Sequence, residues 1–99
     1  MNRTDPMDTT AQKTRPQQID AIDDQIIALL ERRFALSRAI GEAKKAQGAA
    51  PYDPVRVRNQ VERFVAACQQ RDLEPVMARQ VICAVIAQVV SERFPTEAT

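Results

Sequence analysis

The sequence predicts an all-α protein of three helices, the first of them very long, and three observations carry that prediction. Glycine is nearly absent, with only two in 99 residues. Most remaining positions hold Ala, Gln, Glu, Arg, Leu and Ile, a composition that favours helix. Apolar residues recur at three- and four-residue spacing in three stretches, separated by breaks that contain proline or glycine.

The first helix starts at Arg15-Pro16, since proline suits the first helical turn, and runs to Gly48, which suits a C-terminal cap. Its apolar stripe is Ile19, Ile22, Ile26, Leu29, Leu30, Leu36 and Ile40. Gly41 inside it costs about 1 kcal/mol relative to Ala and marks close helix packing. Ala49 to Tyr52 form a loop, and Asp53-Pro54 supply an N-cap and a first-position proline for the second helix. That helix carries Val57, Val61, Phe64, Val65 and Cys68. The third begins near Glu74-Pro75, presents Met77, Val81, Ile82, Val85, Ile86, Val89 and Val90, and stops at Pro95. The expected organisation is a flexible tail over 1–14, one helical domain over 15–95 and a short tail over 96–99.

About thirty residues at ~1.5 Å each make the first helix ~45 Å long, beyond the ~30 Å diameter of a small domain. Two shorter helices cannot cover its stripe, and the simplest supplier of the missing surface is the same helix from a second copy. A homodimer is therefore expected. A chain of this size alone buries only about 60–70% of its unfolded surface, so the extra burial is needed.

Fourteen Lys and Arg stand against thirteen Asp and Glu, a formal charge of +1. This lacks the basic excess that nucleic acid or an anionic membrane surface demands, so neither is an expected partner. There is no His, and Cys68 and Cys83 lie inside helical patterns. Imidazole catalysis, a metal-ligand spacing and a disulfide framework are thereby excluded, and both cysteines read as small buried hydrophobes in a reducing cytosol. No stretch reads as a membrane span, and the polar start, Met1 to Thr14, lacks the apolar core of a signal peptide. A soluble, cytoplasmic protein is expected.

Cations interrupt the apolar stripes. Four residues beyond Leu29 stands Arg33, and four beyond Ile40 stands Lys44, which puts both on the face expected to be apolar. On the third helix the row Val81, Val85, Val89 continues to Arg93. Arg56 falls in the first turn of the second helix, where free N–H groups and the helix dipole favour an anion. An uncompensated interior charge costs several kcal/mol, and the stripes contain no matching row of carboxylates. The expected counter-charge is an anionic ligand. Glu31 with Arg32 and Glu62 with Arg63 read as ordinary solvated pairs.

Ile19-Asp20-Ala21-Ile22-Asp23, Leu29-Leu30-Glu31-Arg32-Arg33, Ile40-Gly41-Glu42-Ala43-Lys44 and Asp53-Pro54-Val55-Arg56 resemble the all-α, type II class of chorismate mutases. The resemblance covers about residues 15 to 94. It implies an intertwined helical homodimer with two sites, and the rearrangement of chorismate, a dicarboxylate, to prephenate without cofactor or metal. Such a reaction needs no nucleophile or proton shuttle, only a reactive conformer held in place and charge stabilised on the ether oxygen. By this resemblance Arg33 and Arg56 bind carboxylates, and Lys44 binds a carboxylate and the ether oxygen. Asp53 approaches the ring hydroxyl, Arg93 donates to the ether oxygen, and Arg15 reaches the neighbouring subunit's site.

The chain departs from the family pattern at four positions. Pro16 stands where the family has the donated Arg, which is displaced here to Arg15. Val57 replaces a Glu that contacts the ring hydroxyl, Val89 replaces a Ser, and Arg93 replaces a Gln or Glu. Isochorismate pyruvate lyases share the fold and an apolar residue after the second-helix Arg. Mutases of the 4-amino analogue of chorismate and non-catalytic helical dimerisation or regulatory modules remain open beside them.

Overall fold

In a computed structural model of the chain, the described residues are 14–50 and 52–93, the Arg93 side chain excepted. They form three helices, α1 (Arg15–Ala46), α2 (Pro54–Gln69) and α3 (Pro75–Arg93). Residues 1–13 of the expected 1–14 tail, Pro95, at which the third helix was expected to stop, and the expected 96–99 tail lie outside the described residues.

Each helix boundary has a local cause. Thr14 and Gln17 form a capping box at the start of α1. The Gln17 amide donates to Thr14 Oγ1 at 3.2 Å and the Thr14 amide to Gln17 Oε1 at 2.9 Å. At the other end the Ala49 amide donates to the Lys44 carbonyl at 2.8 Å and the Gly48 amide to that of Lys45 at 3.1 Å. Those two bonds make a Schellman motif around Gly48, whose positive φ is left-handed. The helix thus ends at Ala46, just short of Gly48. Asp53 caps α2, and Glu74 caps α3 by accepting the Met77 amide at 2.7 Å. Between α2 and α3 the Leu73 amide donates to the Cys68 carbonyl (2.9 Å) and the Asp72 amide to that of Gln69 (3.1 Å). A second Schellman turn results, with Asp72 at positive φ in the place usually taken by glycine.

The chain divides into two compact units, one ending at Ala35 and one beginning at Leu36, the boundary falling inside α1. The first unit contains the N-terminal part of α1, in which no residue is buried. The second unit has a core in which Val61, Val65 and Cys68 of α2 meet Ala78, Ile82 and Ile86 of α3, with Val57, Phe64 and Val90 partly buried around them. An exposed pair, Arg79 with Glu62 at 3.3 Å, also links α2 to α3. Arg38 of α1 lies 3.7 Å from Glu92 of α3, and Gln88 donates to the same carboxylate at 3.2 Å.

In the single chain Ile19, Ile22, Ile26, Leu29, Leu36 and Ile40 of the α1 stripe are all exposed, as expected of a stripe its own two shorter helices cannot cover. Other sequence expectations change. On α3 the row facing α2 is Ala78, Ile82, Ile86 and Val90, and Val81, Val85 and Val89 are not part of the buried core. Arg93 therefore continues a row that is exposed at Val81 and only half-buried at Val85 and Val89. Cys68 is buried as expected, but Cys83 is exposed. It follows Ile82 by one residue and so turns about 100° from the inner row.

The membrane expectation also needs correction. The stretch Pro75–Glu92 has a mean hydropathy of 1.2, and only Arg79 and Glu92 in it are charged. In length and composition α3 therefore does meet the requirements of a minimal span. Its Val and Ile content produces this, and the Ala78, Ile82 and Ile86 face packs on α2 as a core helix does.

Candidate active site

The start of α2 shows how its sequence sets local charge. Asp53 has extended backbone angles, and its Oδ1 accepts the amides of Val55 at 3.1 Å and Arg56 at 3.3 Å. The anion position expected at this helix N-terminus is thus filled by the protein's own Asp53 carboxylate. Any ligand role of Arg56 falls to its exposed guanidinium rather than to its amide.

Arg15 and Arg33 belong to the first unit, whereas Lys44, Asp53, Arg56 and Arg93 belong to the second. Arg15 is exposed in the first turn of α1; Arg33 and Lys44 are half-buried rather than facing a closed core. Arg93 is the last residue of α3, and its side chain lies outside the description. Among the described residues of this set, Asp53 and Arg56 are joined directly, through the cap. Among the described residues Arg33, Lys44 and Arg56 have no carboxylate partner, whereas Arg38 and Arg79 each have one. Most of the other described Lys and Arg also lack a carboxylate partner, but they are exposed, whereas Arg33 and Lys44 are half-buried. The two that pair are exposed, where an ion pair contributes about 0–1 kcal/mol.

Within the second unit an open groove of about 620 Å³ runs between α2 and α3, in the size range of small-molecule sites. Val57 and Val61 of α2 and Ile86 and Val90 of α3 give it an apolar floor. Tyr52 and Ser91 bring hydroxyls to its wall, and Cys83 brings a thiol. None of Arg15, Arg33, Lys44, Asp53 and Arg56 lines this groove, but Asp53 and Arg56 lie in the chain between two residues that do, Tyr52 and Val57. Tyr52, Cys83 and Ser91 were missed from the sequence. They belong to no charge pattern, and only the antiparallel packing of α2 on α3 brings them together.

Comparison with known proteins supplies the context. The chain is 37% identical over 51 residues to the intracellular chorismate mutase of Mycobacterium tuberculosis, and equally to that of Mycobacterium bovis. Those matches cover 52% of this chain and 49% of each relative, so the chain spans about half the length of the curated relatives it matches. No solved structure gives a significant match. The family model described as chorismate mutase type II matches residues 16–93, which takes in all three helices and every unpaired cation named above, and the chain belongs to that family.

Proposed function

We propose that this protein is a chorismate mutase that works as a homodimer and converts chorismate to prephenate by positioning and electrostatics, without cofactor or metal. The observation that carries the reading is the set of half-buried or helix-terminal cations, Arg33, Lys44 and Arg56, without carboxylate partners among the described residues, in a chain whose family match spans all three. A dicarboxylate ligand supplies the missing anions. Planar guanidinium groups at Arg33 and Arg56 suit bidentate carboxylate pairing. Lys44 and Arg93 are assigned to the ether oxygen, whose negative charge grows as the C–O bond breaks and the new C–C bond forms; preorganised donors there lower the barrier directly. Asp53 caps α2 through Oδ1, which leaves Oδ2 for the ring hydroxyl.

The dimer is the second part of the proposal. The exposed stripe from Ile19 to Ile40 needs a cover, and the same stripe in a second copy provides one by two-fold symmetry. In this arrangement α1 helices intertwine and Arg15 of each chain reaches the other's site. The relatives' description as intracellular supports a cytoplasmic location.

One observation favours a second reading. Val57, the residue after Arg56, presents an apolar side chain to the groove, the pattern associated with isochorismate pyruvate lyases, which eliminate pyruvate and leave salicylate. Supplying the purified chain with chorismate and isochorismate side by side separates the two. Loss of chorismate absorbance with prephenate formation supports the mutase, and salicylate fluorescence from isochorismate supports the lyase. If neither substrate is consumed, the chain is a non-catalytic module of this fold.

A further inference from the structure

We infer that Tyr52, in the wall of the α2–α3 groove, is a substrate-positioning residue whose phenolic hydroxyl donates to the ring-hydroxyl oxygen of a bound hydroxycyclohexadiene dicarboxylate, while Asp53 Oδ2 accepts that hydroxyl's proton. This rests on the mutase reading and names a group in the site that the cation pattern does not reveal. A ligand with a carbocyclic ring and one ring hydroxyl needs an apolar surface for the ring and a polar partner for the hydroxyl, because a hydroxyl desolvated without a partner costs binding energy. Val57, Val61, Ile86 and Val90 provide the surface.

Three polar side chains in the groove wall are candidates for the partner. The Cys83 thiol is a weak donor. Ser91 has a short side chain held close to α3. Tyr52 combines both needs, since its ring extends the apolar wall and its hydroxyl both donates and accepts at the tip. At 40% exposure it is neither locked in the core nor fully in water, and among the described residues its hydroxyl has no hydrogen-bond partner. It also comes immediately before Asp53, so the cap that fixes the start of α2 fixes the loop that presents it.

The test uses the full chain, chorismate turnover, and two bicyclic ether dicarboxylates that mimic the rearranging substrate, one with the ring hydroxyl and one without it. Tyr52→Phe keeps the aromatic wall and removes only the hydroxyl. It is expected to raise KM about five- to tenfold with kcat within about twofold, the effect of one neutral hydrogen bond. It should also weaken the parent's preference for the hydroxylated inhibitor about five- to tenfold, which a merely structural role for Tyr52 would leave in place. Ser91→Ala should keep that preference.

Unchanged kinetics and discrimination in Tyr52→Phe, with an active parent, overturn this inference and leave the mutase reading standing. So does loss of discrimination in Ser91→Ala instead. A Tyr52→Phe variant whose only change is its oligomeric state, by sedimentation, also overturns it, since the groove then holds a second copy. A parent chain that neither turns over chorismate nor binds either inhibitor overturns the mutase reading and this inference with it.

Discussion

The seam along α1 offers the sharpest test, because one substitution has very different costs in one chain and in two. Ile26 keeps 49% of its surface exposed in the single chain, and its neighbours Ile22 and Leu29 keep 54% and 57%. Fully burying an Ile side chain contributes about 1.5–3 kcal/mol, so roughly half of that remains to be gained. If the chain functioned alone, Ile26→Ala would remove a half-exposed side chain and cost about 1 kcal/mol, partly offset by the better helix propensity of Ala. If two copies bury the stripe, the same change becomes a core truncation of about 2–5 kcal/mol, and symmetry applies it twice. The dimer then loses about 4–10 kcal/mol, which at about 1.4 kcal/mol per tenfold weakens association by at least roughly a thousandfold. Sedimentation equilibrium and thermal melts over a hundredfold range of protein concentration measure it. The parent should be dimeric with a Tm that rises with concentration, and Ile26→Ala should dissociate or melt much lower at micromolar protein. A folded monomeric parent, with Ile26→Ala within about 1 kcal/mol of it at every concentration, would refute the reasoning.

Arg33→Ala and Lys44→Ala should each reduce turnover at least about a hundredfold while Tm stays level or rises, since neither cation has a carboxylate to lose; lower Tm with turnover kept would make them structural. Arg93→Ala should lower kcat on the order of 10²-fold with little change in KM, and Arg93→Gln should recover part of it; both constants within about twofold of the parent would place Arg93 in solvent. Asp53→Asn should keep the α2 cap within about 0.5 kcal/mol yet raise KM, whereas Asp53→Ala should also lose about 1 kcal/mol in urea unfolding. Asp72→Gly should stabilise the chain by up to about 1 kcal/mol and Asp72→Val should destabilise it, because only glycine adopts this left-handed backbone without strain.

The punctuation of the fold was legible, because caps are local chemistry. Asp53-Pro54 and Gly48 each did what their residue types dictate, and the Thr14–Gln17 box, missed from the sequence, is equally local. Which face of α3 turns inward was not legible. The helix is apolar on several sides, so the rows Val81–Val85–Val89 and Ala78–Ile82–Ile86–Val90 fit the same period. Ala78, at 0% exposure the most buried residue of the core, is too small to draw attention in a hydrophobic pattern. Asp72 was missed for a related reason, since an Asp in left-handed conformation has no pattern beyond its own residue type.

Charge balance bears on the role proposed for the stripe cations. With fourteen cations and thirteen carboxylates there is no shortage of counter-charge along the chain. The protein pairs Arg38 with Glu92 and Arg79 with Glu62, at positions where water already screens the charge and a pair is worth little. Among the described residues it withholds carboxylates from Arg33 and Lys44, which are half-buried and would gain more from them. If Arg33 and Lys44 hold the substrate as proposed, leaving them unpaired reserves their electrostatic interaction for a bound anion, which is what a rearrangement that develops charge on one oxygen requires.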